Sequence, residues 1–101
     1  MADCCAEKKR DEMRLFVRQK AKNFIELMRP FCKTPEQNEF LLKYDETQVE
    51  EVVKTYLFPL YSTNTLSFAK ETIASQLNIT DTAILEKVER YLQCFCECIL
   101  D

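Results

Sequence analysis

The sequence predicts an all-α protein, a compact bundle of about five helices, and three observations carry that prediction. Apolar residues recur at helical spacing in five successive segments. Most of those segments are bounded by residues that start or stop helices. No stretch alternates apolar and polar residues as a half-buried strand does. Every connection is short, so neighbouring helices pack roughly antiparallel, or at a steep angle where the turn is tightest.

The first helix is expected over 7–29, with Met13, Phe16, Val17, Phe24, Leu27 and Met28 on one face. Pro30 ends it, because proline cannot donate the next backbone hydrogen bond and disfavours helix in the residue before it. The second, over 35–44, opens on Thr34-Pro35-Glu36-Gln37: Thr34 caps, Pro35 suits the first turn and Gln37 completes a capping box. Its buried residues are Phe40, Leu41 and Tyr44. Thr47 with Glu50 makes a second capping box for the third helix, over 47–58, where Val49, Val52, Val53, Tyr56, Leu57 and Leu60 share a face. Pro59 is expected to break or kink this helix near Phe58. Ser62-Thr63-Asn64-Thr65 reads as a loop, since these side chains compete for backbone hydrogen bonds. The fourth helix, over 64–78, carries Leu66, Ala69, Ile73 and Leu77. After a turn at Asn78, Thr80 or Asp81 caps the fifth, over 81–99, with Ile84, Val88, Tyr91, Leu92, Phe95 and Ile99 as its stripe.

At 12.0 kDa the chain reads as one helical domain, 1–101, with residues 1–6 as a flexible tail. Glycine and histidine are both absent. Without glycine there is no phosphate-cradling loop. Without histidine there is no ordinary general base, imidazole metal ligand or Ser-His or Cys-His pair. The paired acids Glu50-Glu51 and Asp45-Glu46 are adjacent and point in different directions, so they form no acid/base dyad. The chain therefore reads as no enzyme, with no cofactor, no metal and no small-molecule substrate. Its longest apolar run, Tyr56 to Tyr61, is too short to cross a bilayer, and residues 1–10 lack a secretory signature. The expected location is cytoplasmic, with the nucleus as the other option. The six cysteines are accordingly expected as reduced thiols, and Asn78-Ile79-Thr80 as an unused glycosylation acceptor.

Charge is unevenly spread. Residues 1–33 hold nine Lys/Arg against five Asp/Glu, whereas residues 34–101 hold five against twelve. A basic first helix on an acidic body can dock on that body, on another copy, or on an anionic partner. Arg10, Arg14, Arg18 and Lys22 follow one another at i+4 and line one side of that helix. Lys20 falls instead within its apolar face, which argues against insertion into a membrane. Phe58 and Phe68 lie opposite the apolar stripes of their helices and Tyr61 falls to one side. Such aromatics need covering by other helices, or they form a patch that seeks a partner.

The segment Glu71 to Thr80, followed by Ile84 and Val88, resembles the core of a helix-turn-helix motif over 71–90. Ala74 is the small residue at the crossing, Leu77 and Ile79 bracket the turn, and Ile84 packs back. The resemblance implies nucleic-acid binding with the basic first helix as a clamp. Between Asp81 and Arg90, however, it offers Asp81, Glu86 and Glu89 against Lys87 and Arg90, the wrong sign for a phosphate surface.

Cys94 and Cys98 share a helical face while Cys96 points about 200° away. Together with Cys4 and Cys5 they raise a third reading, a thiolate metal site, or, for Cys4 and Cys5 beside Lys8-Lys9-Arg10, acylation. Cys98-Ile99-Leu100-Asp101 has only the outline of a prenylation box, since aspartate is not a usual last residue. Cys32 is the one cysteine whose immediate neighbour in the chain is a cation, Lys33. The leading expectation is a protein–protein interaction module that self-associates, through Phe58, Tyr61 and Phe68 together with Arg14, Arg18 and Lys22.

Overall fold

The computed structural model describes residues 9–98. Its helices are α1 (Arg10–Met28), α2 (Pro35–Leu42), α3 (residues 49–62), α4 (Ser67–Leu77) and α5 (Thr82–Cys98), with a short 3₁₀ turn over Arg29–Phe31. There is no strand among the described residues. The expected tail, 1–6, and residues 7 and 8 of the expected first helix lie outside the described residues, as does Ile99; Lys9 is extended, so α1 begins at Arg10 and not earlier in the described chain.

One core joins all five helices. Val17, Ala21, Phe24, Ile25 and Met28 of α1 meet Leu41 and Tyr44, then Val49, Val53 and Leu57 of α3, Ala69, Ile73 and Leu77 of α4, and Val88, Leu92 and Phe95 of α5. Phe24 is the hub: its ring makes edge contacts with Tyr44 and Tyr91 at 5.5 Å and with Phe95 at 5.9 Å. These geometries suit the ring quadrupole and add to the area buried. The densest packing is α1 against α5.

Local chemistry explains the boundaries. Thr34 Oγ1 accepts from the Gln37 N–H at 3.2 Å, and Gln37 Oε1 accepts from the Thr34 N–H at 3.1 Å, which is the expected capping box. Gln37 Nε2 also donates to the Gln76 carbonyl at 3.0 Å, tying α2 to the end of α4. Of the two candidates for the cap of α5, Asp81 serves: its Oδ1 accepts from the Ala83 N–H at 2.9 Å.

With no glycine, asparagine supplies the left-handed residues that end helices. Asn64 and Asn78 have φ of 59° and 55°. The following N–H groups reach back five residues, Thr65 to the Leu60 carbonyl at 2.8 Å and Ile79 to the Ala74 carbonyl at 2.9 Å. This is the closing bond of a Schellman-type end, and asparagine tolerates the backbone better than other non-glycine residues.

The third helix departs from expectation. It begins at Val49 and not at 47, because Asp45 holds the preceding residues in a turn: its Oδ1 accepts from the N–H groups of Thr47 and Gln48 at 3.0 and 2.9 Å and from the Thr47 hydroxyl at 2.8 Å, and Gln48, at the cap position, makes no side-chain cap bond. The Thr47–Glu50 box therefore does not form. Nor does the helix stop near Phe58. Residues Val53–Leu57 form a π-helical segment, with the Phe58 N–H bonded to the Val53 carbonyl, and the chain continues as α-helix over Phe58–Ser62. Proline in a regular helix clashes with the carbonyl four residues back, and the wider register ahead of Pro59 absorbs that conflict.

Candidate functional site

Because α1 turns Val17, Ala21, Phe24 and Met28 inward, Arg14, Arg18 and Lys22 emerge together along one flank, all exposed. The side chain of Arg10 lies outside the described residues. Among the described residues none of the three makes an ion pair. The ion pair present there is Lys70–Glu89 at 3.5 Å, between α4 and α5. Docking of this flank on the chain's own acidic body is thus not seen. Leu15, two-thirds exposed at 66 %, borders this row on the outer side of the helix.

The expected aromatic patch is only partly assembled. Phe58 and Tyr61 are half-buried near the end of α3 with their rings 6.3 Å apart, and Tyr61 packs against the core. Phe68 is 57 % exposed on the first turn of α4, and among the described residues no ring contact joins it to either.

Along the other flank of α1 the structure builds a pocket that sequence reasoning missed. Lys20 and Leu27 from α1 face Lys87, Arg90, Tyr91 and Cys94 from α5 across a cavity of about 360 Å³. The clue in the sequence was Lys20 itself, a cation within an apolar stripe. Its ammonium lies over the Phe16 ring, 5.2 Å from the centroid, a cation–π contact that holds the stem against the helix. Residues 87, 91 and 94 recur at i, i+4 and i+7, so α5 presents them on one side.

A larger groove of about 510 Å³ lies where α2, α3 and α4 meet, lined by Phe40, Tyr44, Val52 and Tyr56 with Glu51 and Thr72 among its polar groups. The π-helical segment supplies Thr55 and Tyr56 to its wall. Burial, with the Tyr56 phenol nearby, pushes the Tyr44 hydroxyl well above the usual phenol range.

The cysteines divide in a way that corrects the expectation of reduced thiols. Cys94 and Cys98 are disulfide-bonded, whereas Cys32 and Cys96 are free. A helix sets Cβ atoms four residues apart at about 5–6 Å, and a disulfide spans about 3.5–4.5 Å, so the two do not bond each other. Cys4 and Cys5 lie outside the described residues. The shared face of Cys94 and Cys98 was legible from the sequence; their oxidation state was not. A sulfur held in a disulfide is no thiolate, which weighs against the metal reading. Among the described residues no group of three or more metal-ligating side chains converges. Cys96, fully buried on the far side of α5, is pushed up to about 12 by burial and then by the Glu97 carboxylate. Burial also raises Cys32, against the smaller opposing effect of Arg29.

The corner over 71–90 has the helix-turn-helix outline, its two helices joined through the left-handed Asn78. Ala74 is half-buried, and the fully buried alanine of α4 is Ala69. At the start of α5 the exposed residues include Asp81 and Glu86, while Lys87 and Arg90 belong to the pocket against α1. No helix among the described residues is long and apolar enough to cross a membrane. Comparison with protein-family models, curated proteins and solved structures finds no match.

Proposed function

We propose that the protein is a non-catalytic interaction module that binds an acidic protein surface, including that of a second copy, through the outer flank of α1. The observation that carries this reading is the row Arg14, Arg18 and Lys22, exposed and without an ion pair among the described residues, beside the exposed Leu15. Cations left unpaired on a chain of net charge −3 favour association with an opposite charge. The chain carries that opposite charge itself: Glu36, Glu39, Glu46 and Glu51 are exposed on and between α2 and α3. Joining two different faces is a head-to-tail contact, which closes into a ring or propagates. Phe68 is a second candidate anchor, outside the basic row.

The module's surroundings are, in this reading, oxidising and not cytoplasmic, because bonds such as those of Cys94 and Cys98 persist where thiols are not kept reduced. Sedimentation velocity over a range of protein and salt concentrations tests the association. Wild type should self-associate at low salt and dissociate as salt screens the contact. The triple variant Arg14→Glu/Arg18→Glu/Lys22→Glu should stay monomeric with unchanged helicity, and Phe68→Asp should weaken assembly. A wild-type monomer at every concentration would refute self-association.

A further inference from the structure

We propose that the pocket between α1 and α5 binds a small soluble anionic amphiphile, with the anionic head held by Lys20, Lys87 and Arg90 and the apolar tail on Leu27 and Tyr91. This goes beyond the interaction surface, which lies on the opposite flank of α1.

The charge pattern carries the assignment. Two helices bring three cations to one cavity, and among the described residues none of the three has an ion-pair partner. Like charges gathered without acids repel one another, and an anion in their midst relieves that repulsion. Lys20 is half-buried and held over the Phe16 ring, so its ammonium is already restrained at the cavity. Arg90 adds a planar fork that donates to a phosphate or carboxylate at two points. The floor is of opposite character: Leu27 and Tyr91 both pack against the core. A charged rim over an apolar floor selects a ligand with both parts, as small-molecule sites generally do. The cavity of about 360 Å³ corresponds to roughly a dozen water-sized volumes, which suits a headgroup with a short chain rather than a diacyl lipid. Cys94, in the wall, is disulfide-bonded and offers the pocket no thiol.

Octyl phosphate is the probe, titrated below its micelle concentration into the isotope-labelled full-length protein and followed by amide chemical shifts. Saturable shifts should be confined to the facing stretches of α1 and α5 around Lys20–Leu27 and Lys87–Cys94. Inorganic phosphate and octanol, the head and tail alone, should each bind at least about tenfold more weakly, as should octyl phosphate to Lys87→Gln/Arg90→Gln. Lys87 and Arg90 are exposed, so that variant should keep the wild-type fold, and Lys87→Arg should retain binding. Equal affinity for octanol, an undiminished affinity in the double variant, or no saturable shift would each overturn the assignment. Cosedimentation with anionic phospholipid vesicles, lost in the double variant while octyl phosphate fails to bind, would also overturn it by making the ligand a membrane surface. The Arg14/Arg18/Lys22 variant should bind octyl phosphate normally, which separates failure of this site from failure of the association surface.

Discussion

Replacing Phe24 with leucine should cost about 2–3 kcal/mol of folding stability, and the number follows from the geometry of the core. Phe24 is 0 % exposed and its ring meets three others, Tyr44, Tyr91 and Phe95, at centroid separations of 5.5, 5.5 and 5.9 Å. Each edge contact contributes about 0.5–1.5 kcal/mol beyond area burial, so losing all three costs roughly 1.5–4.5 kcal/mol. Leucine refills much of the volume, which keeps the cavity contribution small and the total in the lower half of that range. Alanine would add the full cavity and reach about 3–5 kcal/mol, a large share of the about 5–15 kcal/mol typical of a domain. The leucine variant is therefore the more informative one. Urea unfolding followed by circular dichroism measures it, with Phe68→Leu as the control. Phe68 is 57 % exposed and should change stability by no more than about 0.5 kcal/mol. If the two substitutions cost the same, the aromatic hub does not hold the helices as described.

Three further outcomes are expected. Cys96 and Tyr44 both keep their protons in the folded chain to higher pH than in the unfolded one, so the unfolded state ionises first and stability falls as pH rises. For Cys96 the window runs from the ordinary value of 9.0 to about 12. Cys96 contributes a slope of up to about 1.4 kcal/mol per pH unit there, and Tyr44 adds to it only above its ordinary value of 10.0. Cys96→Ala should flatten the denaturation midpoint against pH within it, and a variant with the wild-type slope would remove Cys96 from the account. Thiol alkylation read by peptide mass spectrometry should modify Cys32 slowly and Cys96 only after unfolding. Cys94 and Cys98 should react only after reduction, and their labelling without reductant would contradict the bonded state. Asn78→Ala should destabilise by about 1 kcal/mol, because a Cβ without a polar partner disfavours φ of 55°, while Asn78→Gly should be close to neutral; equal effects would argue against a left-handed cap.

Helix identities were legible because each rests on local rules. The apolar spacing, the Thr34 box and the Asn78 turn involve residues within a few positions of one another, and the structure keeps them. The third helix was misjudged at both ends. At its start Asp45 engaged both the N–H and the hydroxyl of Thr47, which took Thr47 out of its box with Glu50; at its end the helix adopted a wider register and did not break at Pro59. Burial of its inner face, Val49, Val53 and Leu57, is what keeps the segment helical across the proline.

The candidate sites show the same division more sharply. Arg14, Arg18 and Lys22 share a flank because a helix repeats every 3.6 residues, so the sequence alone determined that row. It also determined that Cys94 and Cys98 lie together and Cys96 apart. What only the tertiary structure decided are the relations across helices. Lys20 and Lys87 are far apart in the chain, and only the docking of α1 on α5 puts them in one cavity with Arg90. Packing likewise left Phe68 exposed while drawing Tyr61 onto the core, and disulfide bonding took Cys94 and Cys98 out of the thiol pool. Periodicity fixes the direction of a side chain about its own axis; which neighbour it then meets is set by how several apolar stripes satisfy one another at once.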